Sequence, residues 1–131
     1  MVTDRTRHGP APPRIAPFPA SRQPCPFERF VDIFSGTWTP RILWLLLDGV
    51  AHRFAEIQRI VEPVSSKVLT ERLRYLEQQR LVKRITRKSV TPYVEYMITD
   101  RGKLLEPVFH AMEQISDQLF HDELSSQDVN Q

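Results

Sequence analysis

Apolar residues recur along this chain in two rhythms, and the change of rhythm divides it into elements. In PFERFVDIFSG, Phe27, Phe30, Val31 and Phe34 fall three and four apart, which predicts a helix ending at Gly36. A second helix is expected from Thr39-Pro40 through RILWLLL to Asp48-Gly49. Thr39 would be its N-cap, and Pro40 stands where a missing N–H costs nothing. Apolar on nearly every side, it reads as the central helix of the core, with Trp38 and Trp44 as core anchors. A short stretch, His52 to Phe54, leads into AEIQRIV, a third helix broken before Pro63.

The segment SSKVLTERLRYLEQQRLV is a fourth helix capped by Ser65 or Ser66. Leu69, Leu73 and Leu76 form one apolar stripe, while Lys67, Glu71, Arg74 and Gln78 gather on the facing side with Thr70 on its flank. The period then falls towards two. LVKRITRKS and YVEYMIT read as strands joined by a turn at Val90-Thr91-Pro92. Thr99 is expected to cap one long final helix, DRGKLLEPVFHAMEQISDQLF, with apolar positions at Leu104, Leu105, Val108, Met112, Ile115 and Leu119.

Composition sets the outer limits. The first 26 residues hold seven of the eleven prolines and four arginines, so residues 1–24 are expected to be a disordered arm. Residues 25–121 form one domain, and 122–131 an acidic disordered tail. The longest apolar run, Ile42 to Leu47, is far short of the roughly 20 residues that cross a bilayer. No apolar segment near the N-terminus suggests a secretory signal, and Cys25, the single cysteine, cannot build a disulfide framework or a cysteine-rich zinc site. A cytoplasmic address is expected.

The net charge of +2 conceals a gradient. From His52 to Lys103 there are twelve basic and six acidic residues; from Leu104 to Gln131 there are six acidic residues and no basic one. A basic middle followed by an acidic end suggests that the middle meets a polyanion. The order helix, helix, short strand, helix, helix, strand, strand, helix is that of a winged helix, with one helix for the major groove and a hairpin for the neighbouring backbone. Lys67 and Arg74 suit phosphates or guanine edges, Thr70 reads either, and Glu71 can accept from cytosine. Lys83, Arg84, Arg87 and Lys88 on the hairpin would hold the backbone and set register. The competing reading is a winged-helix module that binds protein and reads no DNA. An enzyme has no supporting constellation: the sequence lacks a Gly-rich phosphate loop, a nucleophile elbow and a paired carboxylate, and no cofactor is expected. His8, His52, His110 and His121 lack metal-ligand spacing.

These segments resemble the HxlR family of bacterial regulators. The resemblance is carried by Cys25-Pro26-Phe27-Glu28-Arg29, GTWTPRIL, HRFAEIQRIV, SSKVLTERLRYLEQQRLVKR and VEYMITDRGKLLEPV, and covers about Pro24 to Leu119. It implies an α+β, mostly α, winged helix-turn-helix with a two-stranded β wing and additional N- and C-terminal dimerisation helices. It further implies a homodimer acting on an inverted-repeat operator in double-stranded DNA, read as a repressor. Ser65, Ser66, Lys67, Thr70 and Arg74 would lie in the recognition region, and Arg87 and Lys88 on the wing. Thr37 stands where the family usually has lysine, and Tyr93 where an arginine is frequent. Cys25 matches a cysteine that several members use to sense oxidants or electrophiles. A thiol at a helix N-terminus has its thiolate favoured by the helix dipole; the plainer alternative is a small buried hydrophobe.

Overall fold

The computed structural model describes residues 25–128, with side chains to residue 123. The arm expected over residues 1–24 lies outside the described residues, as do residues 129–131 of the expected tail. The chain divides into two units after Asp32. The described residues of the first unit are Cys25 and all but the last residue of helix α1, Pro26–Ile33, which buries none of its side chains and exposes Phe27 and Val31. It stops at Ile33, short of the Gly36 end predicted from the pattern.

The second unit follows the predicted order. Helix α2 (Thr39–Leu46) leads to strand β1 (His52–Arg53), then to α3 (Phe54–Ile60) and α4 (Ser66–Gln78). Strands β2 (Val82–Arg87) and β3 (Tyr93–Ile98) form the hairpin, and α5 (Asp100–Lys103) and α6 (Glu106–Asp128) close the chain. The three strands make one antiparallel sheet in the order β1-β3-β2. This is a winged helix-turn-helix.

The core is drawn from one stripe of each element. Ile42, Leu43 and Leu46 of α2, Ile57 of α3, and Leu69, Leu73 and Leu76 of α4 are buried against Val82 and Ile98 of the hairpin. Each such side chain withdrawn from water contributes about 1.5–3 kcal/mol before the entropy of ordering it is subtracted. Gly49, with φ of 76°, turns the chain out of α2 in a conformation that a Cβ would disfavour. Gly102 answers a different need. A Cβ placed there would lie 2.3 Å from the Leu81 carbonyl oxygen and 2.6 Å from Ile98 Cδ1, so only glycine lets α5 sit this close to the hairpin.

Four expectations change. Thr39 does not cap α2: it is the first helical residue, Trp38 holds the cap position without a side-chain bond, and Thr39 Oγ1 is buried without a hydrogen-bond partner. Nor is α2 buried on every side. Trp44 is 48% exposed and lies over Phe109 at 5.5 Å between ring centres, so it flanks the core instead of anchoring it. The final helix is two helices, because Pro107 has no N–H to continue the ladder from α5 and the chain turns at Leu104-Leu105. Finally, α6 runs past His121 to Asp128, so the first part of the expected tail is helical. None of the described helices is long and apolar enough to cross a membrane.

Candidate nucleic-acid interface

Helices α3 and α4 are joined by five residues, 61 to 65, two of which, Val61 and Val64, are buried under the turn. Ser65 is the N-cap of α4: its extended backbone starts the helix and its Oγ accepts from Val68 N–H at 3.2 Å. Gln58 of α3 ties the turn from the other side. Its Nε2 donates to Ser66 Oγ at 3.0 Å and to the Val64 carbonyl at 3.4 Å. The pair of helices is thereby fixed in angle by a polar clasp as well as by packing.

With Leu69, Leu73 and Leu76 buried, the opposite face of α4 must point outward. Lys67, Glu71, Arg74 and Gln78 are exposed there, Thr70 is half-buried at the edge, and Ser66, seven residues before Leu73 and so on the leucine side, is exposed because it begins the helix. The Thr70 hydroxyl donates to the Ser66 carbonyl at 2.7 Å, which leaves its oxygen lone pairs outward to accept. The structure thus brings Lys67, Thr70, Glu71 and Arg74 onto one side of the helix, with donors at 67 and 74 flanking an acceptor at 71, and leaves Ser65 and Ser66 at the helix start, turned to the cap and to Gln58.

The hairpin cations are not gathered in the same way. Side chains alternate across a strand, so Arg84 shares a face with Val82 and Thr86, while Lys83, Ile85 and Arg87 occupy the other. Arg84 and Arg87 therefore point to opposite sides of the wing. Arg87 Nε also donates to Glu95 Oε1 at 3.0 Å, diagonally across the ladder. Lys88 begins the exposed turn at the tip.

Sequence reasoning missed three features near this strip. Arg53 of β1 pairs with Glu95 and lays its guanidinium over the Tyr93 ring at 3.7 Å. An arginine thus stands beside the wing turn after all, supplied by β1 and not by position 93. His52, one residue earlier, turns inward: Nδ1 meets Glu56 Oε1 at 2.5 Å and Nε2 meets Asp48 Oδ2 at 2.7 Å. Carboxylates only accept, so both contacts are filled as hydrogen bonds when the ring is an imidazolium. Burial works against that charge, but the bonds and charges of Glu56 and Asp48 outweigh it and hold the His52 pKa above its usual 6.5. The i, i+4 spacing of Asp48, His52 and Glu56 was the available signal; it runs from the turn after α2 through β1 into α3 and so carried no helical meaning. The third feature is Thr99, predicted as a cap but not as a latch. Its hydroxyl accepts from Gly102 N–H at 3.0 Å and donates to the Arg80 carbonyl at 2.7 Å, binding the end of the hairpin to the end of α4.

Cys25 is partly exposed at the start of α1, and its carbonyl accepts from Arg29 N–H at 3.1 Å. His110 faces Glu106 at 3.5 Å and Glu113 at 4.0 Å along its own helix. Among the described residues, no group of three or more His, Cys, Asp or Glu side chains is arranged to hold a metal ion.

Comparison with known proteins places this geometry. A family profile described as HxlR-like helix-turn-helix matches residues 33–123. YvaP of Bacillus subtilis, an uncharacterized HTH-type transcriptional regulator, is 42% identical over 85 residues, which span 64% of this chain and 78% of YvaP. Among solved structures, the redox regulator HypR in its reduced form superposes with a TM-score of 0.67 at 33% identity, covering 78% of this chain and 99% of HypR. Quinone-bound YodB from Bacillus subtilis superposes with a TM-score of 0.60 at 35% identity, covering 72% of this chain and 99% of YodB. The chain belongs to the HxlR-like helix-turn-helix family.

Proposed function

We infer that this protein is a transcriptional regulator that inserts α4 into the major groove of DNA, with the hairpin tip held against the adjoining backbone. The observation that carries the reading is the exposed strip of Lys67, Glu71 and Arg74, with Thr70 half-buried at its edge, on a helix whose leucine stripe is fully buried. In this arrangement Lys67 and Arg74 donate to guanine edges or phosphates and Glu71 accepts from cytosine. Ser65 and Ser66 sit at the helix start, and Arg84, Arg87 and Lys88 serve as phosphate contacts from the wing.

The working unit in this reading is a homodimer. Helix α6 exposes Met112, Ile115, Leu119 and Phe120 along one side, a stripe that a second copy would remove from water. Symmetric copies place two recognition helices roughly 34–36 Å apart, which calls for an inverted-repeat operator. Cys25 is the proposed sensing thiol, supported by its partial exposure at the start of α1 and by similarity to a protein described as a redox regulator and to another solved with quinone bound.

The reading is tested by titrating duplexes from the protein's own promoter region with the full chain, followed by fluorescence anisotropy. Lys67→Ala and Arg74→Ala are expected to weaken specific binding, by about 1–3 kcal/mol where a bidentate base contact is lost. Lys88→Ala should weaken all duplexes alike and flatten the salt dependence. Unchanged affinity in all three variants would remove the docking geometry. Quinone or hypochlorite treatment should alter the affinity of wild type and leave Cys25→Ser unaffected; equal responses would remove the sensing role.

A further inference from the structure

The foot of the hairpin carries a group of cations that the recognition strip and the wing tip do not use. Helix α4 ends at Gln78 with Gln79 as its C-cap, and Arg80 follows with φ of 58°. Leu81 N–H donates to the Leu76 carbonyl at 3.0 Å, and Arg80 N–H donates to the Glu77 carbonyl at 2.9 Å. These two bonds define the left-handed helix ending whose positive-φ residue is usually glycine, since a Cβ there crowds a carbonyl oxygen. Arginine holds that position against its own backbone preference. Strain kept at one residue points to a use for its side chain.

The surroundings show what the use is. A surface cavity of about 480 Å³ is lined by Arg80, Lys83, Arg101 and Lys103, with Asp100 the single carboxylate and Met97 on its wall. Arg101 Nε donates to the Gln79 carbonyl at 3.0 Å, which fixes the guanidinium and leaves its terminal nitrogens as donors. Lys103 Nζ lies 3.8 Å from Asp100 Oδ1, a contact exposed to water and so weakly held. Four cations against one carboxylate around a single cavity repel one another unless an anion joins them. Two guanidinium forks and two ammonium groups match a tetrahedral oxyanion with several acceptor oxygens.

We propose that this cavity at the foot of the hairpin is a phosphate-binding site, its ligand either a phosphodiester of bound DNA or the phosphate of a free small molecule. The two sources share one recognition chemistry and are separable by experiment. In the first arm, the full chain is titrated with inorganic pyrophosphate, against sodium chloride at matched ionic strength, and the amide resonances of Lys83, Thr99, Arg101 and Gly102 are followed by NMR. In the second arm, the affinity for a promoter duplex is measured as a function of salt. Both arms are repeated with Arg80→Gly, which preserves the helix ending, and with a Lys83→Gln and Lys103→Gln double variant at exposed positions.

A free ligand gives saturable shifts at those amides below about 1 mM pyrophosphate, weakened about tenfold or more in both variants, with the duplex salt slope unchanged. A DNA phosphate gives a slope reduced by about one for each contact removed. In both cases Arg80→Gly keeps or raises the melting temperature while binding falls, which separates the side chain's role from folding. Pyrophosphate shifts no larger than those of matched chloride, together with wild-type slopes in both variants, would overturn the site. A wild type that binds no duplex would instead defeat the regulatory reading, and the pyrophosphate titration would then decide the site alone.

Discussion

The guanidinium of Arg53 lies 3.7 Å from the centre of the Tyr93 ring, joining the two-residue strand β1 to the first residue of β3. Next to it, Arg87 is held by Glu95, which is only 15% exposed. The stack braces the base of the wing turn from the side, on the sheet face away from the core. Tyr93→Ala should lower stability by about 0.5–1 kcal/mol, read as a urea midpoint shift. Tyr93→Phe, which keeps the ring, should lose little. Equal losses in the two variants would show that the hydroxyl, and not the stack, matters.

Substitution at Ser65 can separate its capping role from the phosphate-facing role proposed for it. Its Oγ is committed to Val68 N–H, so Ser65→Ala should cost about 1 kcal/mol of stability. Ser65→Asp keeps an acceptor at the helix N-terminus and should fold at least as well as wild type. If this helix start faces phosphates, the added charge should nevertheless weaken duplex binding. Ser65→Asp with unimpaired affinity would place the start of α4 away from the backbone.

Close approach at Gly102 leaves no room for a methyl group. Gly102→Ala should destabilise by about 2 kcal/mol or more, because the clashing atom at 2.3 Å is a backbone oxygen that cannot turn aside. The neighbouring exposed Leu104→Ala should stay within about 0.5 kcal/mol of wild type. Urea unfolding of both, side by side, provides the check.

His52 should make stability fall as pH rises. Its folded pKa lies above the ordinary 6.5 of the unfolded chain, so folding takes up a proton in the intervening range. The contribution is full below about pH 6 and is lost as pH climbs through the folded value. Thermal unfolding followed between about pH 6 and about pH 8.5 should therefore show a decline that His52→Gln lacks. Asp48→Asn should shrink the decline, since it removes one of the two carboxylates facing the ring. A wild-type profile parallel to that of His52→Gln would sink this assignment.

Much of the molecule was legible in the chain because its signals are local. The leucine stripe of α4, the serine before it, the shift to strand alternation after Leu81 and the threonine closing β3 each express a preference that acts within about four residues. The exposed polar side of α4 could be read from the same periodicity, since burying one face of a helix exposes the other. The expected cap at Thr39 failed for the complementary reason: Ser, Thr and Asp favour helix starts, but here packing drew the Thr39 side chain into the core and began the helix at the same residue.

The sequence by itself determined the kind and order of the helices and strands and the apolar stripe of α4, because those follow from side-chain period and backbone preference along a short stretch. Only the tertiary structure decided that Trp44 flanks the core, that Arg53 covers Tyr93, and that Arg80 takes a left-handed backbone beside Arg101. Each of these depends on strand register or on the meeting of segments tens of residues apart, and such distances are set by packing in three dimensions rather than by neighbours along the chain.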